Sequence, residues 1–154
     1  MARKMAVLGT GAIGSSVAAD LTRAEYDVIL IDQWPAHVEA MRANGLRVTM
    51  PEEEFIAPVR AFHLCELKDL HRAPPRQFDI VFLASKSYDS TWLTEFIKPF
   101  LKPDGVLVSV QNSLNDEWIA PIIGRERDIG CAFEISADAF EPGSVYRNTN
   151  RIDG

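Results

Sequence analysis

Short apolar runs separated by segments of helical period organise this chain. Met5-Ala6-Val7-Leu8, Val28-Ile29-Leu30-Ile31, Phe78 to Ala84 and Val106 to Val110 are each the length of a strand. Between the first two, residues 11–24 set Ile13, Val17 and Leu21 on one helical face and Arg23 and Glu25 towards solvent. A second helix is predicted from Pro35, a residue suited to a first turn, and it ends before Gly45. From Leu46 to His63 the period changes to alternation, with Leu46, Val48, Met50, Phe55, Val59 and Ala61 on the apolar phase. Pro51-Glu52-Glu53-Glu54 interrupts it as a hairpin turn would, and the acids read as a solvated loop tip. Residues 66–77 are helical or loop and stop at Pro74-Pro75.

Further on, residues 90–101 carry Leu93, Phe96, Ile97 and Phe100 on one stripe, with Trp92 read as packing. A helix over 116–123 is closed by Gly124, and strands are predicted over 129–135 and, after the Pro142-Gly143 turn, over 144–149. Strands alternating with helices predict an α/β fold with a doubly wound, mainly parallel sheet, in one domain spanning 1–154.

Composition narrows the function classes. The formal net charge of -6 provides no basic stripe for nucleic acid. The apolar runs are too short to span a membrane, and Arg3-Lys4 with its apolar sequel runs straight into a glycine turn, as a first strand does and a signal peptide does not. Cys65 and Cys131 are too far apart for a redox or zinc pair, so a reducing, cytoplasmic setting is expected. His63-Leu64-Cys65 sets two metal-type side chains at strand spacing, but without further ligands it reads as ordinary strand, and no metal is expected.

The candidate chemistry begins where the first strand ends. Gly9-Thr10-Gly11-Ala12-Ile13-Gly14 is G-x-G-x-x-G between a strand and a helix, and the second strand closes on Asp32. That order is the dinucleotide-binding fingerprint. The first glycine makes the turn, the second admits a pyrophosphate and the third lets helix and strand pack. The acid meets the adenosine ribose, and the phosphates lie at the helix N-terminus. In a doubly wound sheet ligands lie beyond the carboxyl ends of the strands. Lys86 follows the strand over 78–84, and Asn112 follows the strand over 106–110, on that same rim. A cation and a carboxamide there suit a small anionic substrate with a carbonyl; the bland alternative is a surface lysine and a turn asparagine.

These pieces together resemble the N-terminal, Rossmann-like half of the ketopantoate reductase (2-dehydropantoate 2-reductase) family. The resemblance rests on the glycine run, Ser85-Lys86, Val108-Ser109-Val110-Gln111-Asn112, Ile123-Gly124-Arg125-Glu126-Arg127, Ile129-Gly130 and Glu141-Pro142-Gly143, and it runs from Met5 to the last residue. It implies hydride transfer from NAD(P)H to the C2 carbonyl of a branched 2-keto acid, a step towards pantothenate. Lys86 and Asn112 would lie beside nicotinamide and substrate.

Three departures modify that expectation. Asp32-Gln33 stand where the family usually has a basic residue for the 2′-phosphate, so NADH is expected over NADPH. Ser113 replaces the glycine of Q-N-G, which suggests a different turn. The resemblance also ends before the family's helical C-terminal domain, which carries a proton-donating lysine and a substrate-gripping acid. The isolated chain is therefore expected to bind dinucleotide with little turnover, and to self-associate through the face that domain would cover. A stand-alone NAD(H)-sensing module and a related hydroxy-acid dehydrogenase domain are the competing expectations.

Overall fold

The computed structural model describes residues 3–70 and 77–149. The order is β1 (Lys4–Leu8), α1 (Ala12–Arg23), β2 (Asp27–Asp32), α2 (Pro35–Asn44), β3 (Leu46–Thr49), β4 (Glu54–Ala57), β5 (Ala61–His63), α3 (Leu67–Leu70), β6 (Phe78–Leu83), α4 (Ser90–Ile97), β7 (Leu101–Ser109), α5 (Asp116–Ile123), β8 (Asp128–Gly130), β9 (Ala137–Asp138) and β10 (Ser144–Arg147).

Six strands form one sheet in the order β5-β2-β1-β6-β7-β8, every neighbouring pair parallel. Counted along the chain this is the 3-2-1-4-5-6 order of a dinucleotide-binding fold. The direction of winding reverses between β1 and β6, so the switch point lies beyond Leu8 and Leu83. Alternation along the strands feeds two cores. Met5, Val7, Val28 and Leu30 join α1 and α2 on one face, while Ala6, Leu8, Ile29 and Ile31 join Leu93, Ile97, Ile119 and Ile123 of α4 and α5 on the other.

A second, four-stranded sheet has the order β4-β3-β10-β9, with only β3 and β10 parallel. All four of its strands contact α1. Helix α1 is thus held between two sheets, and Gly14 to Ala19 are buried without interruption. The single apolar face expected of this helix is therefore too narrow a description. Small side chains all round, in Gly14-Ser15-Ser16-Val17-Ala18-Ala19, let backbone approach on both sides.

Other boundaries also move. The helix expected to reach Leu101 is regular only to Ile97 and tightens to a 3₁₀ turn at Pro99, while β7 begins earlier, at Leu101. Trp92 is 42 % exposed and its indole N–H donates to Asp89 Oδ1 at 2.7 Å, so it does not pack in the core. The strand expected over 129–135 is laddered only through Gly130. Burial still alternates from Cys131 to Phe140, but among the described residues only Ala137–Asp138 of that stretch is laddered, to the second sheet. His63 ends β5 with Nε2 2.7 Å from Glu39, while Cys65 lies in the next 3₁₀ turn, so the two do not share a strand face. The Pro74-Pro75 stop lies outside the described residues. Glu53, at the tip of the β3–β4 hairpin, meets Arg23 at 2.7 Å.

Candidate functional site

A crevice of about 410 Å³ opens at the switch point, and its wall includes Gly9, Gly11, Asp32, Lys86, Gln111 and Asn112. Loops from β1, β2, β6 and β7 supply these residues, so the fold brings the sequence-predicted positions to one place.

The three glycines are required for different reasons. Gly9 has φ +87°, and a Cβ there would stand 2.9 Å from the Ser85 amide nitrogen. A Cβ on Gly14 would stand 1.9 Å from the Gly9 carbonyl oxygen, a contact no side chain survives. A Cβ on Gly11 would meet nothing within 4 Å. That open backbone lies on the crevice wall at the start of α1, a helix with no acidic residue in its first turn and no side-chain cap. Its unsatisfied N–H groups and dipole form a cradle that fits a phosphate. Ala12 and Ile13 line the same wall, while Thr10 is buried beneath it.

Asp32 is only 7 % exposed, and most of its bonding capacity is spent on the protein. Its Oδ2 accepts from the Thr10 amide and, at 2.8 Å, from the Thr10 hydroxyl; its Oδ1 accepts from the Trp34 amide at 2.7 Å. The carboxylate ties β2 to the glycine turn and brings a negative charge to the crevice wall. Gln33 and Trp34, both exposed, continue that wall.

Lys86 is exposed and makes no ion pair among the described residues, which leaves its ammonium available to an anion in the crevice. Asn112 is likewise exposed. Three side chains that sequence reasoning passed over, Gln111, Ser87 and Asn115, hold their loops together. Gln111 Nε2 donates to the Ser85 carbonyl at 2.8 Å and the Ser85 hydroxyl at 3.1 Å, while its Oε1 accepts from Ser109 at 3.0 Å and Ser90 at 3.1 Å. Both amide hydrogens and both lone pairs are engaged. The Ser87 hydroxyl and the Asn115 amide donate to the Asn112 carbonyl at 3.1 and 2.7 Å. Ser113, in the turn between them, has φ +81°, a left-handed conformation that a glycine would hold more easily.

His37 was also missed. It is fully buried, its ring stacks on Trp34 with centroids 5.3 Å apart, and burial lowers its pKa while the Asp32 charge pulls the other way. The signal was present: Trp34, His37, Val38 and Met41 share one helical stripe, so the histidine had to lie inwards. Phe133 and Ile135, on the irregular extended segment, close the crevice from the far side.

Comparison with known proteins agrees with this arrangement. The family model for ketopantoate reductase PanE/ApbA matches residues 5–152. A 2-dehydropantoate 2-reductase of Nostoc sp. is 32 % identical over 130 residues, covering 83 % of this chain and 38 % of the relative. One from Mesorhizobium japonicum is 36 % identical over 111 residues, covering 72 % and 32 %. Among solved structures, 2-dehydropantoate 2-reductase from Geobacter metallireducens superposes with a TM-score of 0.83 at 27 % identity, over 96 % of this chain and 46 % of its own. The ternary structure of D-mandelate dehydrogenase with NADH and anilino(oxo)acetate has a TM-score of 0.84 at 24 % identity, over 95 % and 45 %, a likeness of fold. The chain thus spans less than half the length of these relatives.

Proposed function

Because this chain belongs to the ketopantoate reductase PanE/ApbA family, we propose that it is the nucleotide-binding half of an NAD(P)H-dependent reductase of a 2-keto acid, of the 2-dehydropantoate type. The observation that carries this reading is the meeting of the open Gly11 backbone, Lys86 and Asn112 at one crevice. The nicotinamide cofactor, when bound, supplies the hydride. The protein's residues bind and orient. The glycine turn and the start of α1 take the pyrophosphate. Lys86 pairs with the substrate carboxylate or polarises the carbonyl beside it. Asn112, with a donor and an acceptor on one amide, fixes the reacting carbon against the nicotinamide. Gln111 keeps the Lys86 and Asn112 loops at a constant spacing.

Cofactor choice follows from charge. A 2′-phosphate beside the Asp32 carboxylate meets repulsion that a 2′-hydroxyl does not, so NADH is preferred to NADPH. Thr10 and Trp34 already occupy most of the lone pairs of Asp32, and Gln33 stands ready to share the ribose contacts.

The test is a binding series followed by intrinsic tryptophan fluorescence. NADH should bind more tightly than NADPH, and a 2-keto acid should then bind the NADH complex. Lys86→Ala should weaken the keto acid step about tenfold, the equivalent of about 1.4 kcal/mol, with NADH affinity little changed. Tighter NADPH binding overturns the cofactor assignment. A Lys86→Ala chain that binds the keto acid as tightly as wild type removes Lys86 from the substrate site.

A further inference from the structure

We propose that His37 is a positioning residue for the phosphate-facing turn and that it acts through Nε2, by way of Ser15, on the Thr10 carbonyl. The proposal rests on the dinucleotide reading of the crevice.

The hydrogen bonds around the ring have only one consistent direction. The Gly143 amide donates to His37 Nδ1 at 2.8 Å, so Nδ1 carries no proton. With Nδ1 accepting, the ring is neutral and its single proton lies on Nε2; burial lowers the pKa in the same sense, while the Asp32 charge and the Thr10 backbone, which the ring also faces, oppose it. Nε2 is 3.3 Å from the Ser15 hydroxyl oxygen. The Ser15 hydroxyl donates its own hydrogen to the Thr10 carbonyl at 2.7 Å, so towards His37 it accepts. The relay thus runs from Gly143 through His37 and Ser15 to Thr10. Its interior members are sealed from water, since His37 and Ser15 are fully buried and Thr10 is 1 % exposed.

The end of the relay is the reason it matters. The peptide joining Thr10 to Gly11 is planar and trans, so its carbonyl and its N–H point in opposite directions. Pinning the carbonyl inwards on Ser15 turns the Gly11 N–H away from it, and Gly11 lies on the crevice wall, where even an added Cβ would meet nothing within 4 Å. On its other side Thr10 is held by Asp32, which receives both its amide and its hydroxyl. His37 therefore supports a preorganised donor without touching the ligand, while stacked Trp34 limits movement of the ring.

Two isosteres divide the imidazole. In His37→Gln the amide reaches the Nε2 position and can serve Ser15, but Gly143 loses its acceptor. In His37→Asn the amide carbonyl can accept from Gly143, but Ser15 loses its donor. The dissociation constants for NADH and for ADP are measured on the whole chain, beside the melting temperature. The expected result is that His37→Gln stays within about threefold of wild type, whereas His37→Asn binds both ligands about tenfold more weakly, a difference of about 1.4 kcal/mol. Ser15→Ala, a small change suited to keeping the fold, should weaken both ligands as His37→Asn does. A purely structural histidine predicts instead that affinity follows melting temperature whichever nitrogen is replaced. That result, or wild-type affinity in His37→Asn and Ser15→Ala, overturns the proposal. A wild-type chain that binds neither NADH nor ADP overturns the dinucleotide reading together with it.

Discussion

At the scale of single residues, the candidate site divides into atoms that face the crevice and atoms that hold them there. Ser113 belongs to the second group and does its work under strain. A non-glycine residue at φ +81° costs on the order of 1 kcal/mol relative to glycine. Ser113→Gly should therefore raise unfolding free energy by about 1 kcal/mol in denaturant titrations, with dinucleotide affinity little changed. An unchanged or lowered midpoint would show that the serine is comfortable there. Residues of this kind explain what could be read in the sequence beforehand. Gly9, Gly11, Gly14, Lys86 and Asn112 were legible because each has a fixed offset from the end of a strand, and strand ends are marked by apolar runs. The roles of Gln111, Ser15 and His37 were not. The Ser85 and Gly143 partners of Gln111 and His37 lie on other segments, Ser15 bonds a carbonyl five residues back that no helical period marks, and no local spacing announces a hydrogen bond across 106 positions.

At the scale of elements, α1 joins the two sheets, and two charged contacts tie it to the second, Arg23 with Glu53 at the surface and Asp20 with the more deeply buried Arg147. Arg147 of β10 is 5 % exposed, and its guanidinium donates to Asp20 Oδ2 at 2.7 Å. Removing the carboxylate leaves a buried cation without its counter-charge. Asp20→Asn should therefore destabilise the fold by about 2 kcal/mol, seen as a lower denaturant midpoint. A change below a few tenths would mean that the second sheet holds α1 without this pair. The main sheet could be anticipated element by element, because buried parallel strands declare themselves as continuous apolar runs. Of the second sheet, the β3–β4 hairpin shows in its alternation and β10 in the strand expected over 144–149, whereas β9 has only two residues, and the pairing of β10 with β3 is a long-range event.

At the scale of the whole molecule, acid should find its first weakness at His37. Burial lowers this pKa from an ordinary value of 6.5, so above that value the folded and unfolded states both hold a neutral ring. As pH falls below 6.5 the unfolded chain takes up a proton that the folded chain refuses, and stability is lost until the lowered pKa is reached. The melting temperature should fall between pH 7 and pH 5, and His37→Gln should flatten that slope. Asp128 acts in the opposite sense: burial, reinforced by the Asp116 charge, raises its pKa, so its protonation in acid favours the folded state. A wild-type slope that His37→Gln leaves unchanged would assign the acid sensitivity elsewhere. The bond between Gly143 and His37 also has a meaning in time. Most of the main sheet is assembled from segments that follow one another closely, but the amide that orients the histidine arrives more than a hundred residues after it. A nascent or refolding chain can build its strands and helices while the turn beside β1 is still unset, because closing so long a loop is a late event. The last bond to the His37 ring is therefore closed late in folding, after the strands around it are in place.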